Sequence, residues 1–184
     1  MSEIITEGSN EELSEDEKKL LLEEVQKSRD LGDEEAPSNL MVRGALLRCS
    51  CGTHPRRLNL PKSYGVYATD TQHPKVHELN NLVGDDKNIA YFGVCKSNNP
   101  PQSDTITLEP YVTPEGKKTS DSNAEGKKCE PIILGNWLDS KENDLIYDED
   151  NDKKVPCLTV NAFTVCKYGG VIVPLTSGQE YNGD

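Results

Sequence analysis

This chain of 184 residues is poor in the residues that usually build a core. Aromatics are 5 % of it, with two Phe and one Trp, and hydrophobic residues of all kinds are 34 %. So little apolar area leaves a thin margin against backbone entropy, and another source of cohesion is expected: cysteine chemistry, a metal or a partner. No stretch approaches the roughly 20 apolar residues of a membrane span, so no span is expected. The first ten residues carry acids where a secretory signal would carry bases, and no apolar run follows them. Synthesis in the cytoplasm without a signal peptide is therefore expected, where thiols or metal thiolates are favoured over disulfides. There is no excess of positive charge. The formal net charge is −12, which argues against nucleic-acid partners, since phosphate backbones need a basic surface. Neither the G-x-x-x-x-G-K-[ST] nor the G-x-G-x-x-G phosphate cradle occurs.

The acidity is concentrated. Residues 1–35 hold 13 acids and 4 bases, a net of −9, and the remaining 19 acids and 16 bases leave −3. Residues 1–40 read as an acidic leader. Ser14 and Glu17 match a capping box, and the run from Glu15 to about Arg29 lacks Gly and Pro, enough for a helix of about 22 Å. Leu21 and Val25 would share a face, but the stripe is too short for a coiled coil. The helix is expected to be solvated or frayed, the alternative being a docking element for cargo or a chaperone.

From Val42 onward the signals are β. Short apolar runs at 42–47, 58–60, 64–68, 89–94, 105–108, 131–134, 157–165 and 171–175 are punctuated by Gly, Pro and Asn. Two polar stretches, 113–128 and 139–154, read as insertions. The acidic run 148–152 in the second is expected to be a solvated turn, since it lacks the glycine and terminal glutamate of an EF-hand loop. His73 and His77 read as loop residues, and Phe92 and Trp137 as core.

Six cysteines are present: Cys49, Cys51, Cys95, Cys129, Cys157 and Cys166. Cys49 and Cys51 are spaced to share a strand face, and His54 follows the turn-permitting Gly52. Two thiols and an imidazole in six residues suit a soft metal ion. The competing reading is that these are small buried hydrophobes, and no C-x-x-C pair decides the matter. No histidine has a context that marks a thiol nucleophile, so an enzyme, such as a thiol or metal hydrolase, is not expected.

Several ordered motifs resemble the bacterial family of PAAR-like proteins. Val42-Arg43-Gly44-Ala45-Leu46-Leu47-Arg48-Cys49-Ser50 is similar to its opening R-G-A-x-L-x-C-S, and Leu58-Asn59-Leu60-Pro61 and Gly65-Val66-Tyr67 continue it. Tyr91-Phe92-Gly93-Val94-Cys95, then Cys129-Glu130-Pro131 with Trp137, then Leu158-Thr159-Val160 and Cys166-Lys167-Tyr168-Gly169-Gly170-Val171-Ile172 follow in order. The likeness covers about 42–175.

The resemblance implies a mainly β fold, a compact cone-like or prism-like domain with long loops over 41–176; the acidic helix before it is not covered by the resemblance, and a tail at 177–184 is expected after it. It implies a structural tip on the trimeric spike protein of a contractile injection machine of the type VI secretion kind. Such a tip would be assembled inside the cell and delivered outside it or into a target cell. A structural metal ion, zinc first and iron second, would be held by Cys49, Cys95, Cys129 and Cys166, which fall on the motif cysteines. Cys51 and His54 are alternates, and Cys157 falls on no motif. PAAR proteins proper use mainly histidines, where cysteines dominate here. Two other readings stand beside this one: an adaptor that loads effector cargo through the leader, and a disulfide-stabilised binding domain.

Overall fold

The computed structural model describes residues 15–30, 36–69 and 72–181. The capping Ser14 lies outside the described residues. Helix α1 spans Glu15–Arg29, and a single 3-10 turn at Pro37–Asn39 leads into the body. Among the described residues eight strands follow: β1 (Leu46–Cys49), β2 (Arg56–Arg57), β3 (Thr105–Leu108), β4 (Ala124–Lys127), β5 (Lys141–Asp148), β6 (Lys153–Cys157), β7 (Thr164–Val165) and β8 (Val171–Pro174). The body is mainly β, as expected, behind the acidic helix.

The central sheet is antiparallel in the order β2-β1-β8-β7. Its register places Cys49 opposite Ile172 and Arg48 opposite Val173. Cys49 and Ile172 both belong to the main core cluster with Leu47, Phe92 and Trp137, so that face of the sheet is inward. β8 is buried at all four positions. A strand apolar on both faces must be covered on both. The core covers one, and α1 packs against the strand.

Two hairpins, β3–β4 and β5–β6, complete the regular structure. The rest of the body is irregular chain held by single β-bridges, such as Val42 to Lys75, Gly52 to Cys95 and Ile133 to Cys166. Runs 58–60, 64–68 and 89–94, expected as strands, contain none of the eight. Leu58, Leu60, Ile89 and Phe92 are buried there all the same. Their apolar character reports burial and not ladder pairing.

The polar stretches correct the sequence reading more sharply. β4 lies in the expected 113–128 loop, and the longest strand, β5, lies in the expected 139–154 insertion. β5 alternates inward at Asp144, Ile146 and Asp148, so two of its inward residues are acids and the usual apolar alternation is hidden. Each acid has a partner. Lys75 Nζ donates to Asp144 at 2.7 Å, and Asn151 and the Asp150 backbone N–H donate to Asp148 at 2.6 and 3.0 Å. The expected acidic turn is present at the hairpin tip, where Lys62 reaches Glu149 and Asp150.

The leader helix is also corrected. Leu21 and Val25 are half-buried and Glu24 between them is buried, the i, i+3, i+4 pattern of a packed face. Glu24 forms an ion pair with Arg48 on β1, and Arg29 forms one with Asp139. The helix is docked on the body, not solvated all round. The start of the tail is packed too. Gln179 donates to the backbone carbonyls of Pro37 and Leu40, and Arg57 stacks on Tyr181.

A candidate thiol centre

Four separate segments bring five cysteines together. Cys49 ends β1 with its side chain inward. The chain then turns, with Gly52 N–H donating to the Cys49 carbonyl at 3.0 Å, and runs against residues 92–96 through Thr53 to Val94 and His54 to Phe92. That segment in turn pairs with 127–129: Cys95 N–H donates to Lys127 O, and Cys129 N–H to Gly93 O, both at 2.7 Å. Cys166 sits in the turn between β7 and β8, closed by its N–H on Gly170 O at 2.7 Å. Because β8 lies beside β1, this turn meets the Cys49 turn.

The thiols of Cys49, Cys95 and Cys129 are linked by hydrogen bonds, with Cys129 bonded to both others. Cys51 and Cys166 are close enough to feel Cys49 and Cys95 electrostatically. The Cys129 hydrogen bond pulls Cys49 below its ordinary value and Cys95 down to about 6, against the opposing effect of burial. Cys129, bonded to both, is driven strongly upward and keeps its proton. Burial pushes Cys51 and Cys166 each up to about 11.

Backbone donors repeat around the centre. The N–H of Tyr168 donates to Cys166 Sγ at 3.4 Å, and the backbone at Cys51 and at Ser97 lowers the Cys49 and Cys95 thiols in the same way. Hydrogen bonds to a charged sulfur favour the thiolate, the form in which a metal takes it. A tight approach makes this possible: a β-carbon on Gly170 would lie 2.6 Å from Cys49 Sγ.

The expected four, Cys49, Cys95, Cys129 and Cys166, are therefore brought into one centre, with Cys51 beside them. The donor chemistry suits a soft ion. As the side chains stand, however, no group of three or more His, Cys, Asp or Glu among the described residues is positioned to hold a metal ion. All six cysteines are thiols. His54, named as an alternate, has both ring nitrogens engaged, with Thr53 Oγ at 2.8 Å and the Glu109 carbonyl at 2.9 Å. Cys157 lies elsewhere, fully buried beside Leu40 and Ile146. Its thiol is pushed up to about 12 by burial and then by Asp144, to which it is hydrogen-bonded.

The sequence reading missed a second polar group. His73 and His77 lie outside the eight strands, in keeping with their reading as loop residues, but both are buried. The His77 ring stacks on Tyr64 with centroids 4.4 Å apart. Its Nδ1 accepts the Leu79 N–H at 3.2 Å, so the ring proton sits on Nε2, 3.4 Å from Asp148 Oδ2. An alternation of acids with Ile146 on 141–148 was the available signal.

A family model described as a domain of unknown function (DUF4280) matches residues 41–179. No curated protein and no solved structure matches the chain.

Proposed function

The chain belongs to the DUF4280 family, and we propose that it is a structural tip protein that caps the trimeric spike of a contractile injection machine. The matched region coincides with the span of the ordered PAAR-like motifs. The observation that carries the reading is that four motif cysteines, from four distant segments, lie near enough to one another to interact, with the Tyr168 N–H donating to Cys166 Sγ.

Those four, Cys49, Cys95, Cys129 and Cys166, would hold one structural metal ion, zinc before iron. Zinc bound by thiolates supplies a closed four-coordinate cross-link without redox chemistry. The thiols of Cys49 and Cys95 are both lowered toward the thiolate form that a metal takes, and Cys129 would have to lose its proton to join them. Cys51 would remain beside them as a spare thiol. Such a cross-link is worth roughly 10–16 kcal/mol of apparent binding energy coupled to folding. A small body with two hairpins and single bridges gains from that, because its core is limited. No catalytic step is assigned to the centre: four thiolates around one ion leave no open position.

The partner is the blunt end of a β-rich trimer, whose open strand edges need cover. The chain would be made in the cytoplasm, join the particle there and leave with it. Among the described residues no helix is long and apolar enough to cross a membrane. The test is co-expression with the spike, sheath and tube proteins of a contractile injection machine. Purified particles should carry about one copy per trimeric spike. Particles that assemble normally and never contain the chain would remove the proposal. An adaptor role has one observation in its favour, the exposure of Leu20 and Leu22 on α1.

A further inference from the structure

The outer face of β8 is apolar, and the helix packed against that strand lies outside the matched family region. Cys49 and Ile172 face the core together, so their ladder neighbours Arg48 and Val173 face the other way, with Val171 two residues back. Val171 and Val173 are fully buried even so, and α1 is the helix packed on β8. α1 precedes residue 41, where the family match begins.

The grip of α1 is small and specific. It consists of Leu21 and Val25, half-buried, with Glu24 between them at 8 % exposure. Glu24 pairs with Arg48, and Arg29 pairs with Asp139 at the far end. Arg48 Nε is buried with no hydrogen-bond partner, so the carboxylate satisfies the guanidinium only in part. A 15-residue helix of this composition has little stability of its own, and α1 is helical here because it is docked.

We propose that the outer face of β1–β8 is a helix-docking site, occupied in cis by α1 as a removable cover. The site selects an acidic amphipathic helix: two apolar residues four apart for Val171 and Val173, and a carboxylate between them for Arg48. A partner presenting such a helix competes with α1, and α1, once released, turns Leu21 and Val25 outward beside the exposed Leu20 and Leu22. The inference is independent of the spike reading, since it rests on the sheet face and α1 alone.

The test uses the full chain. In the double variant L21D/E24R the cover loses its apolar and ionic contacts. A fluorescein-labelled peptide of residues 15–30 is titrated into wild type and variant, with far-UV circular dichroism checking the fold. The variant should bind the peptide at least ten-fold more tightly than wild type, whose face is occupied. Adding R48E to the variant should abolish peptide binding, because the peptide's Glu24 then meets like charge. Hydrogen exchange supplies a second readout: in wild type, α1 amides should exchange at least ten-fold faster than those of β1 and β8, showing that the cover opens by itself. The proposal is overturned by a folded variant that does not bind the peptide, by equal binding to wild type and variant, or by α1 and β8 exchanging at one common rate. It is overturned equally by collapse of the variant's β signal, which would make α1 a fixed part of the core.

Discussion

Gly170 and Cys49 are in contact across the β1–β8 junction so closely that a single added methyl at residue 170 would sit 2.6 Å from the Cys49 sulfur. Gly170 is not in the left-handed region, so Gly170→Ala tests sterics without backbone strain. The substitution should cost about 1–3 kcal/mol of stability, the usual range for overpacking, and lower metal retention. The control is Gly65→Ala, which meets nothing within 4 Å but has φ +73° and should cost about 1–2 kcal/mol with metal unchanged. Urea denaturation and elemental analysis of the two variants separate the effects.

Serine substitutions sort the thiols. Cys129→Ser removes the group bonded to both Cys49 and Cys95 and should abolish stoichiometric metal. Cys51→Ser should leave the metal in place. Cys157→Ser should also retain it, with a stability loss of about 1 kcal/mol, since serine can still donate to Asp144. Retention of full metal by Cys129→Ser would remove that residue from the ligand set.

Acid should weaken the fold between pH 7 and 5 through His77. Burial, the largest effect, lowers its value below the ordinary 6.5; Asp148 opposes this and Lys153 adds to it. Tyr64, stacked on the ring, and Asn80, bonded to the His77 backbone N–H and to Tyr64, add no charge at these pH values. The folded state therefore prefers the neutral ring, and a proton on Nδ1 would displace the Leu79 N–H. Stability is complete above the unfolded value and falls as pH drops through 6.5 toward the folded one. Asp148 is held low although burial pushes it up, because Asn151 and the Asp150 N–H bind it. Its contribution is intact above about 3.8 and lost only below. Thermal melts should show Tm falling by about 2–4 °C per kcal/mol lost from pH 7 to 5, and His77→Gln should flatten that slope. An unchanged slope in the variant would assign the effect elsewhere.

Legibility from sequence followed how local the cause was. β3 and β8 were visible because Thr105–Leu108 alternates and Val171–Pro174 is continuously apolar. β5 and β6 were not: Asp144 is acceptable inside because Lys75 reaches it from a distant segment, and Asp148 because Asn151 and the Asp150 N–H, in a run that reads as a solvated turn, donate to it. The resemblance picks out Cys49, Cys95, Cys129 and Cys166, which come from segments far apart in the chain and near one another only in the fold. The local knuckle reading of Cys49, Cys51 and His54 was not separable by spacing. His54 is withdrawn by the Glu109 carbonyl, a contact with no trace nearby in the chain. The docking of α1 depends on Arg48 in the same way.

As a proposed metal staple, the thiol centre should hold an ion in the purified protein. The most direct measurement is elemental analysis of chain purified under reducing conditions without added metal, combined with thiol counting on the folded protein. The account predicts close to one zinc per chain, with Cys49, Cys95, Cys129 and Cys166 protected until a chelator releases the ion and the fold loosens. A folded, stable chain with no zinc or iron, whose melting is unchanged by chelator, would contradict it.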